Sequence, residues 1–292
     1  MKKALELAFL LVALAGSTGT CQQASSPSST PREVLKSSTD RGALEDAART
    51  LARSEDAEDL ALLGQLLRER EFLARLDDLS KPESLHLSRV IAALAEHPTP
   101  QAVELCLSLA EDPVFIAEAD RKSFVLELLA SVKPMAERTA AVLQRSNAEG
   151  YFEFNARLLA ANGSPRALGL FESMMLDKTV PVENRVECLH VSFLPRRMQP
   201  EILRSADQIL SKTSERAIAG AVTESVFDFR QEWFGIESRI SAPPPWTSAS
   251  TDSLRAALKL AQKAEARPGL SPSLHKKVAS ARETIAQALG QH

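Results

Sequence analysis

Two Glu-x-x-His pairs, Glu83 with His86 and Glu187 with His190, put a carboxylate and an imidazole one helical turn apart, the spacing used by carboxylate-bridged metal sites. To share ions the pairs must converge. In a stack of helix pairs they are about three layers apart, and at 8 to 10 Å per packed layer that is roughly 25 to 30 Å. The histidines are therefore read as incidental, and no metal or other cofactor is expected. The acidic run Glu55, Asp56, Glu58 and Asp59 offers paired carboxylates for proton transfer. It also opens a helix, where negative side chains offset the positive dipole end, and that structural role accounts for it. Nucleophilic chemistry has no foothold: there is no Gly-x-Ser-x-Gly elbow, no cysteine in a glycine-rich setting with histidine, and no phosphate-binding loop among 11 glycines. No catalytic residue is assigned.

Binding chemistry is better represented. Aromatic residues make up only 5% of the chain, yet Trp233, Phe234 and Trp246 gather around the proline-rich stretch "RQEWFGIESRISAPPPWTSAST". Large rigid rings on irregular segments either anchor a partner or plug a seam between packed elements. Trp233, with Phe227, Phe229 and Phe234 close by, reads as core. Trp246 follows three prolines that stiffen the backbone, which would hold its ring outwards, so it is the better partner-binding candidate. Arg255, Lys259 and Lys263 fall at i, i+4, i+8 on one helix face and read as a solvated stripe. The net charge of -3 and pI near 6.0 give no reason to expect nucleic acid as a partner. Charge is uneven along the chain: from Arg41 to Glu83 there are seven basic and eleven acidic residues, and from Asp252 to His292 seven basic and three acidic.

The elements that must position these residues begin after a leader. "MKKALELAFLLVALAGSTGTCQQ" runs from two lysines through an apolar stretch too short for a comfortable membrane span, which is the pattern of an export signal. Two cleavage schemes compete. Ala13-x-Ala15 suits ordinary signal peptidase, whereas Cys21, followed by a Ser-rich stretch, resembles the lipidated cysteine of a bacterial lipoprotein, although Thr18 and Thr20 stand where Leu and Gly or Ala are usual. The 21–40 segment "CQQASSPSSTPREVLKSSTD" has the composition of a flexible tether. Any contact with a membrane would run through a lipid on Cys21. Cys106 and Cys188 sit on apolar helical patterns 82 positions apart and read as small buried hydrophobes.

The body of the chain repeats itself. "HPTPQAVELCLSLAED" (97–112) lies over "NGSPRALGLFESMMLD" (162–177) at an offset of 65. Thr99 and Ser164 stand at N-cap positions and Pro100 and Pro165 at the first helical position, where proline's missing N–H costs nothing. Ala102, Leu105, Cys106 and Leu109 match Ala167, Leu170, Phe171 and Met174 on one apolar stripe. The offset extends outwards, to "VIAALAEH" over "NARLLAAN" and to Pro134 against Pro200 at the next helix start. A weaker copy at offset 43 sets Leu51, Leu60, Leu63 and Leu66 opposite Leu94, Val103, Cys106 and Leu109. The repeating unit is a pair of antiparallel helices.

On these residues the chain resembles the HEAT-like repeat families of short unit length. There a helix ends near an Asp and the next helix carries an early Arg, as Asp177 with Arg185 and Asp112 with Arg121 do here. The resemblance implies an all-α fold, an alpha-solenoid of stacked antiparallel helix pairs. It also brings to mind di-iron hydroxylases built on such scaffolds, whose ligands are adjacent His-Glu pairs, but no His-Glu dipeptide occurs in this chain. The expected organisation is a signal peptide over 1–20, a Ser-rich linker over 21–40, HEAT-like repeats over 41–230, a Pro/Trp loop over 231–251 and a C-terminal helical hairpin over 252–290 that closes the stack. Such a chain suits a non-enzymatic interaction or scaffold protein of the bacterial cell envelope, membrane-anchored through Cys21 or else periplasmic or secreted, with a protein or peptide partner. The alternative is an envelope enzyme or enzyme accessory whose site no motif reveals.

Overall fold

The computed structural model describes residues 30–77, 86–96, 98–117, 119–227, 246 and 249–290. Among these every regular element is a helix, so the fold is all-α. The chain divides into two compact units, the first ending at Leu129 and the second starting at Ala130.

The first unit holds α1 (Pro31–Ser37), α2 (Arg41–Ala52), α3 (Ala57–Leu66), α4 (Arg70–Leu76), α5 (His86–Glu96), α6 (Pro100–Ala110) and most of α7 (Ala119–Ser131). Local sequence explains the starts. Asp40 and Thr99 accept hydrogen bonds from Ala43 N and Ala102 N at 2.9 and 3.1 Å, satisfying amides that have no helical partner. The tether reading fails at its C-terminal half. Thr30 and Glu33 form a reciprocal cap at the start of α1, Leu35 is fully buried, and Arg75 donates to the carbonyls of Leu35 and Ser38 at 3.0 Å each. Leu35, the capping box and the bonds from Arg75 make residues 30–38 part of the folded body.

Helix α5 packs on α2 and α6 on α3, and the contacts step along at the offset read from the sequence. Arg53 forks onto Glu96, 43 residues on, at 2.6 and 3.0 Å. Buried Glu45 meets His86 Nδ1 at 2.7 Å and Arg89 at 3.2 Å, 41 and 44 residues on. Arg68 reaches the Ser108 hydroxyl at 2.6 Å, 40 residues on. Equivalent positions of successive helix pairs are therefore stacked neighbours, which is what an internal repeat means physically. The apolar positions of the alignment fill the space between: Leu51, Leu63, Leu94, Cys106 and Leu109 are buried.

In the second unit follow α8 (Glu137–Ser146), α9 (Phe152–Asn162), α10 (Pro165–Leu176), α11 (Val182–Phe193), α12 (Pro200–Lys212), α13 (Arg216–Phe227), α14 (Thr251–Glu265) and α15 (Pro272–Gly290). One layer runs α9, α11, α13, α15 and the other α8, α10, α12, α14, each helix packing on the next of its layer. The C-terminal pair continues this stack, with α14 on α12 and α15 on α13. Its junction is polar: buried Asp207 of α12 pairs with Lys259 at 3.0 Å and with Lys263, and Arg267 caps the carbonyls of Leu210 and Thr213. Helix α15 buries Leu274, Val278, Ala281, Ile285 and Ala288 on one side and exposes Lys276, Ser280, Glu283 and Gln287 on the other.

Three details of the repeat reading are corrected. Pro134 does not begin a helix as Pro200 does; α8 starts three residues later, at Glu137. The Ser164 hydroxyl does not cap α10 but bonds the Asn162 side chain, whose amide in turn holds the carbonyls of Ala130 and Val132. The α10 stripe is also rotated, so that Leu168 and Met175 are buried while Leu170 is half-exposed.

The Asp and Arg that recur at the turns do separate jobs in the turn after α10. Asp177 accepts from the Thr179 hydroxyl and amide at 2.7 and 2.9 Å, which hold its carboxyl below the usual range and fix the turn after α10. Asp112 accepts from Val114 N and Phe115 N, both at 2.9 Å, and so fixes the turn after α6. Arg185, only 2% exposed, gathers the carbonyls of Met175 and Val180 at 3.1 and 3.0 Å and both oxygens of Glu215 at 2.7 and 2.8 Å. One side chain thus ties a turn to the next helix pair.

Candidate functional site

Between α3 and α6 of the first unit lies an open cleft of about 450 Å³. Its floor is Leu60 and Leu105, its walls the small residues Ala57, Ala61 and Gly64, and its edge the polar side chains of Gln101, Glu104 and Ser108. The two helices run in the same direction, since Ala57 borders Pro100 at one end and Arg68 meets Ser108 at the other. Small side chains make the cleft. A Cβ added to Gly64 would stand 2.7 Å from a Leu105 methyl, so glycine is what lets Leu105 lie this close to α3. Ala57 and Ala61, both exposed, leave the space above it open. At the far end Arg68 is held by the Gly64 carbonyl at 2.6 Å, by Ser108 and by Asp112 at 3.5 Å. A surface of this kind, with an apolar floor and a polar edge, buries a few apolar side chains of a partner and exchanges hydrogen bonds around them.

Cys21, Trp233, Phe234 and Glu83 lie outside the described residues. Trp246 is 3% exposed and packs against Phe227 with ring centroids 6.3 Å apart, so its ring points inwards, contrary to the outward placement expected from the prolines before it. The acidic run does open α3, through the Asp56 cap, but Asp59 and Asp56 also hold Arg32 of α1, at 2.6 and 3.3 Å. Arg255 and Lys259 of the basic stripe are exposed and Lys263 is half-buried, and Lys259 and Lys263 also pair with buried Asp207: burial pulls that carboxyl upward, and the two ammonium groups outweigh it and hold it below the usual range. Among the described residues no group of three or more His, Cys, Asp or Glu side chains is placed to hold a metal ion, and no helix is long and apolar enough to cross a membrane. Cys106 and Cys188 are buried thiols pushed up to about 12 by desolvation.

One arrangement that sequence reading missed has catalytic components. His190 Nδ1 lies 3.3 Å from the Ser225 hydroxyl and Nε2 3.9 Å from a Glu224 oxygen. Serine, histidine and carboxylate are all present, but Ser225 is 1% exposed and its hydroxyl donates to the Ala221 carbonyl at 2.6 Å. A nucleophile with its proton committed and no access serves packing between α11 and α13. Burial holds His190 below its ordinary value of 6.5. The folded state therefore binds fewer protons there than the unfolded chain, and its stability declines as the pH falls below about 6.5. Urea midpoints measured between pH 7.5 and 5.5 are expected to fall less in His190→Asn than in the wild type; parallel declines would remove His190 from the account.

No family model matches the chain, and no curated protein matches it. Among solved structures it aligns, at 14% identity and a TM-score of 0.16, with a chain from "Computational Design of Self-Assembling Cyclic Protein Homooligomers", over 89% of this chain and 77% of that one. A likeness at that score carries no argument, and the chain's architecture rests on its own repeat and packing.

Proposed function

We propose that this is a non-enzymatic scaffold protein of the bacterial cell envelope that docks a protein segment on the α3–α6 cleft. The cleft is the observation that carries the reading: it is concave, apolar at its floor and open along its length, and two stacked repeats build it from small side chains. Export rests on the Lys-led apolar leader, and attachment on Cys21 or release after Ala15 on the two cleavage patterns.

The test joins location to docking. Wild type, Cys21→Ser and Ala61→Arg are expressed in a bacterial host with labelled palmitate, and each is recovered with its bound proteins from the envelope fraction. Ala61 is exposed on a helix, so arginine there blocks the cleft without touching the core. The expected result is a partner captured by wild type and lost with Ala61→Arg, with palmitate on wild type and none on Cys21→Ser. A partner held equally by both proteins sinks the cleft as the docking surface, and protein retained in the cytoplasm sinks the envelope assignment.

A further inference from the structure

Asn162-Gly163 is the one Asn-Gly dipeptide in the sequence. In such a pair the glycine nitrogen can close on the asparagine side-chain amide, because no Cβ crowds the approach. The turn between α9 and α10 holds the reacting groups apart. Asn162 is 2% exposed, and its Nδ2 donates to the carbonyls of Ala130 at 2.6 Å and Val132 at 2.9 Å. Gly163, in the left-handed region at φ 69°, donates its own N–H back to the Leu159 carbonyl at 3.2 Å. Nucleophile and leaving group are both committed to hydrogen bonds. The acceptor is in the opposite state: Asn162 Oδ1 takes hydrogen bonds from the Ser164 hydroxyl at 2.5 Å and from Ser164 N at 3.1 Å. Donors so placed stabilise negative charge developing on a carbonyl oxygen.

We propose that Asn162 is a self-modification site, a spontaneous deamidation that the end of α9 restrains and that local opening releases. Once the bond to Leu159 opens and Asn162 leaves Ala130 and Val132, the Gly163 nitrogen bonds to Asn162 Cγ while the Cγ–Nδ2 bond breaks. The Gly163 proton departs with the amide group as ammonia. Water then adds across one of the two C–N bonds of the succinimide ring, its oxygen to the carbonyl carbon and a proton to the nitrogen, giving Asp or isoAsp. No oxidant or reductant takes part. Either product spoils the turn. Asp sets a carboxylate oxygen where a donor met two carbonyls, and leaves those acceptors unpaired. The isoAsp product adds a methylene to the main chain between the end of α9 and Ser164. The reaction therefore runs one way, and the frequency with which the turn opens sets the lifetime of the intact second unit.

The full chain is aged in native buffer and in denaturing urea, and peptide mass mapping with separation of Asp from isoAsp follows residue 162. Deamidation in native buffer is expected to be at least about tenfold slower than in the unfolded chain, and to quicken with urea below the unfolding midpoint, since opening of the turn alone is enough. Asn162→Asp, which installs one product, is expected to melt at least about 4 °C below wild type. The same drop is expected for aged wild type when its deamidated fraction is separated from the intact one by ion exchange, a comparison that holds even if the variant does not fold. Equal rates in the two buffers would show that the turn restrains nothing. A deamidated fraction that melts with the intact one would show that the turn tolerates the product, and chain cleavage after Asn162 in place of deamidation would make the side-chain nitrogen the nucleophile. Any of these three results overturns the proposal.

Discussion

Arg185→Ala is expected to destabilise the protein by about 3 to 5 kcal/mol, more than any other single change on a polar residue. The guanidinium is buried and makes four hydrogen bonds: one each to the Met175 and Val180 carbonyls and two to Glu215. Alanine removes all four donors at once. The Met175 carbonyl is in the last turn of α10 and the Val180 carbonyl in the loop before α11, where no helical amide can replace the lost donors, and each buried acceptor left unpaired costs about 1 to 3 kcal/mol. The vacated space adds a cavity term. At roughly 2 to 4 °C per kcal/mol for a unit of this size, the melting temperature falls by about 6 to 20 °C. Two variants separate the causes. Arg185→Lys keeps the charge without the planar fork and recovers only part of the loss, because one ammonium cannot reach both carbonyls and both carboxylate oxygens. Glu215→Gln keeps an acceptor beside the guanidinium and costs less than Arg185→Ala. A melting curve for Arg185→Ala within 1 kcal/mol of wild type would show that the repeat arginine is not what holds the turn.

Trp246→Ala ranks beside it, for a reason that reverses the outward placement expected from the sequence. A ring that served only as an exposed anchor would leave the melting temperature unchanged when removed and would abolish partner binding. The ring is instead 3% exposed and lies against Phe227, the last residue of α13. Truncating a buried aromatic of this size costs about 3 to 5 kcal/mol. The calorimetric expectation is a fall of many degrees for Trp246→Ala, a smaller one for Trp246→Phe, and less than additive losses when Trp246→Ala is combined with Phe227→Ala, since each variant removes the other's partner. An unchanged melting temperature with lost capture of a partner would restore the anchor role.

How much could be read in advance depended on range. Helix starts at Pro100, Pro165 and Pro200 were legible because proline at the first helical position acts locally, with a side-chain cap beside it only at Thr99. The 43-residue offset was legible too, in its apolar positions, and Arg53 and Glu96, which bond across helix pairs, stand at that same offset. The polar long-range partners were not. Nothing near Arg32 in the sequence announces Asp59, and nothing near Lys259 announces Asp207, because those pairings exist only once separate helices have packed. Trp246 misled for a related reason: a proline run constrains backbone direction, while the side on which a ring finds its neighbours is settled by Phe227. The cleft left a faint signal in the glycine of α3, unfavourable inside a helix by about 1 kcal/mol unless close packing requires it. Alanines at Ala57 and Ala61 carry no such mark, since they are good helix residues wherever they stand.

Among the described residues each compact unit encloses one cysteine, Cys106 in the first and Cys188 in the second, both fully buried and with the thiol held protonated. A thiol reagent in native buffer can modify either one only when its own surroundings open, and thiolate chemistry in the folded state contributes almost nothing. The rate of modification at each cysteine, resolved by peptide mass, therefore clocks the opening of one unit independently of the other. Whether a docked segment closes the first unit alone or both is then readable as a slowed clock at Cys106, at Cys188, or at each.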